Sequence, residues 1–570
     1  MNIPFIGKWK SHIRLEKDEE LEFWKRRFKN CAHKRKQEIE PSWARYARIM
    51  DDNMWKGSRM ADSTEPVDAN ELKPCIFSIL PQVISEPPVL EVRAYSMRDV
   101  RMAAIWERVG EFNDRVYEEF DEMMWSVYSA LLYGNGIIKI GYWDDALIDK
   151  PIWGSGLTEA FGTRRSAYAQ NMELTEVYPD FRARRWKDMR YVIHERPMHM
   201  DDILSNPAYD KKAVKELTPT HSADKLFEFN LPLNSDIENE YVLIQEIHDL
   251  PFGQVKIMEP NCNKWLYHGE EPYKILPFEN LMFFPRPKTV WGDSVSQIVE
   301  KHSKRLSEYF TYMDRAISRE GLLKMFYTLG SMDDEDIRRL GDSSDAVIGV
   351  NAEDATRAVH RLDLGTASKE YSYIQGMEYI KSYLRGATGV TQQERGVHEG
   401  GVETALEASM LKAASEVRNV MRQRMFSKFA SRVFSKLLYV VSQQYSPERI
   451  AQMAGLDPSF AYEIQAAGPF DATRFVVDYG MTALNSRNDR LQKLMILQQL
   501  AGPFLNPAVI VQMAVEALDF DFSDELLVYQ ALEQGQLPGG AAQNVAGQVA
   551  QSRVATGQQP AAFETIAGGA

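Results

Sequence analysis

Four consecutive carboxylates, Asp333, Asp334, Glu335 and Asp336, carry the oxygen ligands that a hard cation prefers. They lack the spaced ligands and the turn glycine of a calcium loop. Their better account is negative charge at the start of a short helix, Ile337 to Leu340. Gly134-Asn135-Gly136 is the nearest approach to a phosphate cradle, but it joins a predicted helix to a following strand. A cradle needs the reverse order, with backbone N–H groups opening a helix. No GxxxxGK[ST], HExxH or GxSxG occurs, and Gly154-Ser155-Gly156 sits in a Trp/Gly-rich loop. His194 and His199 are five apart, awkward for one helical face. Cys31, Cys75 and Cys262 are distant from one another and odd in number, which fits buried small hydrophobes in a reducing compartment. The residues commit to no catalysis, no cofactor and no metal site.

The elements that must position any site fall into two halves. Residues 16–50 read as helical, 51–74 as a loop with Pro66 and Pro74, and Val89–Tyr95 as a short strand. Ile105, Val109, Phe112, Val116, Phe120, Met124, Val127 and Leu131 form one apolar stripe, predicting a single long helix that stops at Gly134. Strands are expected at 137–143, Tyr191–His194 and Tyr241–His248. This first half is an α+β body.

The second half is helical. Between Gly292 and Gly321 there is no Gly or Pro, and Asp293 and Ser294 are candidate N-caps. Val295, Ile298, His302, Leu306, Tyr309, Met313 and Ile317 keep helical spacing. A small mixed insert at 322–364 has an expected strand at Ala346–Val350, and a second helix follows at about 367–385. A loop over 386–401 carries five glycines, Gly386, Gly389, Gly396, Gly400 and Gly401. Residues 402–446 again lack Gly and Pro, with Met410, Ala414, Val417, Met421, Met425, Phe429, Val433 and Leu437 as the stripe. A last helical region is expected over 487–534. The final stretch, 535–570, has 7 Gly, 9 Ala and 6 Gln, a composition too poor in apolar side chains to build a core.

Net charge is −14, but residues 1–48 carry +6, which leaves −20 for the rest. An acidic body opposes tight wrapping of nucleic acid, which needs many cations to displace phosphate counterions. It does not oppose a channel through which DNA slides. The basic start, with Lys25, Arg26, Arg27, Lys34, Arg35 and Lys36, reads as a solvated helix face or a contact to DNA or a partner. No apolar run reaches the ~20 residues of a membrane span, and no signal region opens the chain, so a soluble protein made in a cytoplasm is expected.

Three segments carry a family resemblance. They are Ser129-Ala130-Leu131-Leu132-Tyr133-Gly134-Asn135-Gly136-Ile137-Ile138-Lys139-Ile140-Gly141-Tyr142; Pro277-Phe278-Glu279-Asn280 through Trp291-Gly292-Asp293-Ser294; and Gly389-Val390-Thr391 through Arg395-Gly396, followed by Glu403 to Ser409. In order and spacing they resemble the portal proteins of tailed bacteriophages. The resemblance implies an α+β, portal-like fold: an α/β wing (1–285), a stem helix (286–321), a small clip insert (322–364) and a second stem helix (365–385). A channel loop (386–401), a long helix returning to the wing (402–480) and a helical crown (481–534) complete it, while composition alone predicts that the tail (535–570) is disordered unless a partner orders it.

It further implies a non-enzymatic subunit of a homo-oligomeric ring, typically a dodecamer, at the portal vertex of the virion. Such a ring is assembled in the host cytoplasm with capsid and scaffold proteins. It docks the terminase motor and later a head–tail adaptor, and passes double-stranded DNA. Gln392, Gln393, Glu394, Arg395 and His398 of the loop are the residues expected to meet that DNA. Another virion ring or connector protein, or a nucleic-acid-processing enzyme, are the alternatives.

Overall fold

A computed structural model describes residues 17–55, 66–84, 90–144, 165–218, 241–321, 325–327, 359–361, 367–389 and 405–479. All belong to the first of two units, Met1–Gly480 and Met481–Ala570. The predicted strand at 346–350, the acidic run 333–336, the helical region 487–534 and the tail lie outside the described residues.

Helix and sheet are mixed, as an α+β body requires. α1 (Lys17–Glu38) and α2 (Glu40–Met50) fill the region read as helical. α3 (Leu72–Val83) was not anticipated, and its first turn falls in the loop read over 51–74 with Pro74. Pro74 sits in the first turn, where its missing N–H has no intrahelical partner to lose, and Pro81 is near the last residue. β1 (Leu90–Ala94) pairs antiparallel with β12 (Phe475–Tyr479), Leu90 opposite Tyr479, so the end of the described chain returns to its first strand.

The single helix expected up to Gly134 is two, α4 (Val100–Tyr117) and α5 (Glu119–Tyr133), broken at Glu118 in the left-handed region with φ 54°. What stands beyond the break accounts for it. β2 (Gly136–Asp144) is the centre of a three-stranded sheet, flanked by β3 (Arg165–Met172) and β9 (Phe278–Leu281). β3 is an edge, and an edge strand offers every second N–H to solvent or to another chain. Here those donors are taken: Ala167 N–H by Tyr445 Oη at 2.8 Å, Ala169 by Glu119 Oε2 at 2.9 Å, Asn171 by Glu122 Oε2 at 2.7 Å. Redirecting the chain at Glu118 starts α5 with these carboxylates against the strand.

A second, five-stranded antiparallel sheet has the order β4 (Val177–Pro179), β5 (Tyr191–His199), β6 (Tyr241–Asp249), β7 (Gln254–Met258), β8 (Trp265–Glu270). α1 lies on it through Leu21, Trp24 and Cys31 against Tyr178, Tyr191, Ile193 and Ile247. All three cysteines are free and buried, as the sequence indicated.

The long helices follow: α6 (Val295–Gly321), α7 (Ala367–Thr388) and α8 (Ala405–Gln444). Between α6 and α7, β10 (Met325–Tyr327) and β11 (Val359–Arg361) pair antiparallel, which closes the base of the insert. α8, 40 residues long, extends about 60 Å and packs its C-terminal half into the main core through Phe429, Val433, Phe434 and Leu437. Of the stripe predicted along α8, Phe429, Val433 and Leu437 are buried and Met425 packs on the core, whereas Met421 is exposed. α9 (Pro447–Met453) and α10 (Ala461–Ala467) lead into β12.

Candidate channel interface

The turn Gly134-Asn135-Gly136 fixes where α6 begins. Gly134 takes φ 99°, and a Cβ there would stand 2.5 Å from the carbonyl oxygen of Gly292. A Cβ on Gly292 would stand equally close to the Gly134 oxygen, so the two turns meet backbone to backbone. Asn135 bridges them: its Nδ2 donates to Val290 O at 3.1 Å, and its Oδ1 accepts from Gly292 N at 2.8 Å. Ser296 Oγ donates to Leu132 O at 2.7 Å, and Ser294 caps α6 by accepting from Gln297 N at 3.2 Å. Two segments 157 residues apart in sequence are thus one joint, which gives a physical reason for both being recognisable words.

α6 buries more than the apolar stripe read from its sequence. Ser303, Ser307 and Thr311 are buried as well, and an extended segment, residues 67–71, runs antiparallel along them. Val67 N donates to Thr311 Oγ1 at 3.0 Å, Ala69 N to Ser307 Oγ at 2.9 Å, and Glu71 N to Ser303 Oγ at 3.4 Å. On another face α6 meets α7, antiparallel to it. His302 packs against Tyr383 with the rings tilted by 46° and centroids 4.6 Å apart, and Tyr309 lies near Tyr373 at 5.9 Å. Gly376 makes room for the Tyr309 ring, which a Cβ would meet at 2.8 Å. Tyr312 of α6 and Ile374, Tyr379 and Tyr383 of α7 remain exposed on this helix pair.

α7 runs to Thr388, three residues beyond the expected 385, so Gly386 is helical and the loop begins at Gly389 with φ 77°. The five residues expected to meet DNA, Gln392, Gln393, Glu394, Arg395 and His398, lie outside the described residues, and the structure places none of them. It does place the point from which their segment departs. Arg422 of α8 is buried and donates from Nη2 to Thr388 O and from Nη1 to Asn419 Oδ1, both at 2.9 Å. Arg418 Nη1 donates to Gly386 O at 2.7 Å. Two cations thus take the terminal carbonyls of α7, where the helix dipole is negative. Gln423 Nε2 donates to Gln82 O at 2.7 Å, and Asn419 to the Gln82 side chain, tying the clamp to α3. Sequence reading missed Arg418 and Arg422. Its only available signal was that of two arginines one helical turn apart, a pattern common on solvated faces.

α8 is held to the three-stranded sheet by Glu279 of β9, which receives Arg432 Nε at 2.9 Å and Lys436 Nζ at 2.8 Å. Burial alone would raise that carboxyl; the two cations hold it below its usual range.

The chemically richest cluster lies elsewhere, between the two sheets. Lys139 Nζ donates to Glu246 Oε2 at 2.7 Å, and His248 spans Glu246 at 2.8 Å and Glu271 at 2.7 Å. Burial works against charge on His248, yet the hydrogen bonds to Glu246 and Glu271 push it up to about 9. Each member is occupied by another, so the cluster staples the sheets together. Among the described residues, no group of His, Cys, Asp or Glu is placed to hold a metal ion, and no helix is long and apolar enough to cross a membrane.

Comparison with known families supports a phage portal protein, through a match to rather less than half of the chain. The family whose model matches is described as Phage SU10 portal protein, and the match covers residues 261–520. It includes two of the three segments that carried the resemblance, the approach to α6 and the start of α8; the segment at 129–142 precedes it. No curated protein matches the chain.

Proposed function

We propose that the chain is the ring-forming subunit of a portal vertex, a structural channel through which DNA enters and leaves the capsid. The observation that carries this reading is the match over 261–520, which spans α6, α7, α8 and the segment between α7 and α8. The exposed Tyr312, Ile374, Tyr379 and Tyr383 on the α6–α7 pair support it, since a neighbouring copy would cover aromatic side chains that this subunit leaves in water. A cyclic ring is a heterologous contact repeated until it closes, and a dodecamer is the count the resemblance implies.

In this reading Gln392, Gln393, Glu394, Arg395 and His398 face the duplex, on a segment whose departure point the arginine clamp holds. Capsid and scaffold proteins, the terminase motor and a head–tail adaptor are the partners, and the virion is the site of action. Electron microscopy and solution mass of the purified protein test the ring. Closed rings with a central hole and a mass near twelve times 65.3 kDa are expected. A compact monomer or dimer under every condition tried would overturn it. Deleting residues 392–398 should leave rings intact while DNA packaging or retention falls, and normal packaging by such rings would remove the loop from the mechanism.

A further inference from the structure

The turn between β4 and β5, Phe181 to Arg190, reads Phe-Arg-Ala-Arg-Arg-Trp-Lys-Asp-Met-Arg, five cations against one carboxylate. Its apolar residues face inward: Ala183 and Met189 are buried, and Phe181 and half-buried Trp186 pack on neighbouring hydrophobic cores. Trp186 Nε1 donates to Phe278 O at 3.4 Å, and Lys34 Nζ of α1 to Phe181 O at 3.0 Å. Backbone bonds from Ala183 to Asp180, Asp188 to Arg185 and Met189 to Trp186 brace the turn. Arg182, Arg184, Arg185, Lys187 and Arg190 are all exposed on this braced frame.

None of the five has a carboxylate within ion-pair distance among the described residues. Some exposed cations elsewhere do find one: Arg45 pairs with Glu300, Arg93 with Asp478, Arg101 with Glu463 and Arg305 with Glu308. What sets this turn apart is density: five cations within nine residues, in a chain with 81 acidic and 67 basic side chains.

We infer that this turn is a contact surface for the phosphate backbone of duplex DNA, separate from the channel loop. Four of its five cations are arginines, whose planar fork suits phosphate oxygens. The centre of a protein–protein interface is apolar or aromatic, and here every apolar side chain of the turn points into the fold. What remains outward is charge without shape, which suits a polymer whose charge repeats along its length. The acidic remainder of the chain keeps the contact weak and sensitive to salt, and the inference holds whether or not the subunit forms a ring.

The test is fluorescence anisotropy of the full-length protein with a labelled duplex, titrated between 50 and 200 mM KCl. Each phosphate contact adds about 0.9 to the slope of log affinity against log salt, so five contacts predict about 500-fold weaker binding across that range. Arg184→Gln/Arg185→Gln/Lys187→Gln leaves two contacts and predicts a loss of only about 12-fold, from a weaker starting affinity. The charge-keeping variant Arg184→Lys/Arg185→Lys should retain the wild-type slope, and Arg182→Gln/Arg190→Gln serves if the triple variant does not fold. An unchanged slope in the neutralised variants overturns the proposal. So does binding that is lost only in Arg395→Gln, which would assign the contact to the channel loop. Tighter binding of poly-glutamate than of duplex would assign the turn to an acidic protein and equally overturn it.

Discussion

Arg422→Ala should loosen the end of α7 while the body stays folded. The buried guanidinium is the donor to the Thr388 carbonyl and to Asn419 Oδ1, and Thr388 is itself only 2% exposed, so water replaces the lost donor poorly. A hydrogen bond from a charged group contributes about 1.5–3 kcal/mol, and a cation at a helix C-terminus about 0.3–1 kcal/mol. The free energy for opening the last turn of α7 should therefore fall by about 2–4 kcal/mol. At about 1.4 kcal/mol per factor of ten, amide exchange over residues 384–389 accelerates by about 30- to 700-fold. Hydrogen exchange read by mass spectrometry on the full-length protein resolves this, with peptides from β6 and β7 as the internal reference. Arg422→Lys restores a point charge without the fork and should fall between the two. Exchange over 384–389 that stays at the wild-type rate in Arg422→Ala would refute the clamp. Equal acceleration in β6 would show the effect to be global.

Two further perturbations probe the frame. Gly134→Ala combines a left-handed backbone with a Cβ 2.5 Å from the Gly292 oxygen, and should cost about 2–4 kcal/mol in urea unfolding. Gly253→Ala, at φ 57° with nothing within 4 Å, should cost only about 1–2 kcal/mol; equal costs would discard the close-approach argument. Burial opposes the His248 charge, but its bonds to Glu246 and Glu271 raise it to about 9, above its unfolded value. Its contribution is then fully present below about pH 6.5 and lost as pH rises through about 9. The urea midpoint should decline over that window by the equivalent of about 1–3 kcal/mol, and the decline should flatten in His248→Gln. A wild-type profile flat from pH 6.5 to 10 would contradict the assignment.

Features written in local chemistry were legible in the sequence. Gly134 ends α5 and Ser294 opens α6 because a left-handed turn and a hydroxyl cap are properties of single residues. β1 came from alternation, and β5 and β6 were legible as short strands, β5 running on to His199 beyond the expected His194. What escaped depends on partners distant in sequence. The break at Glu118 contains no glycine or proline; its reason is the edge of β3, some 50 residues on, whose amides need the carboxylates of α5. The clamp on α7 comes from Arg422, 34 residues beyond the carbonyl it holds. Along α6 an apolar stripe was sought and found. The serines and threonine spaced four apart beside it went unread, because a buried hydroxyl declares itself only once its partner strand is known.

That run of hydroxyls has a geometric property of its own. Extended chain advances about 3.3 Å per residue and a helix about 1.5 Å, so two residues of one span nearly the distance of four of the other. Segment 67–71 and α6 therefore engage like a rack and its teeth: direction and side of approach are fixed, position is not. Displaced by one tooth, Val67 would meet Ser307 and Ala69 would meet Ser303, with only Glu71 left facing Val299. The stop that holds the present setting is supplied from just beside it. Leu72 is wholly buried, and the Asn70 amide donates to Ile49 O at 2.6 Å, so one apolar side chain and one amide set the axial position of the segment along a 27-residue helix.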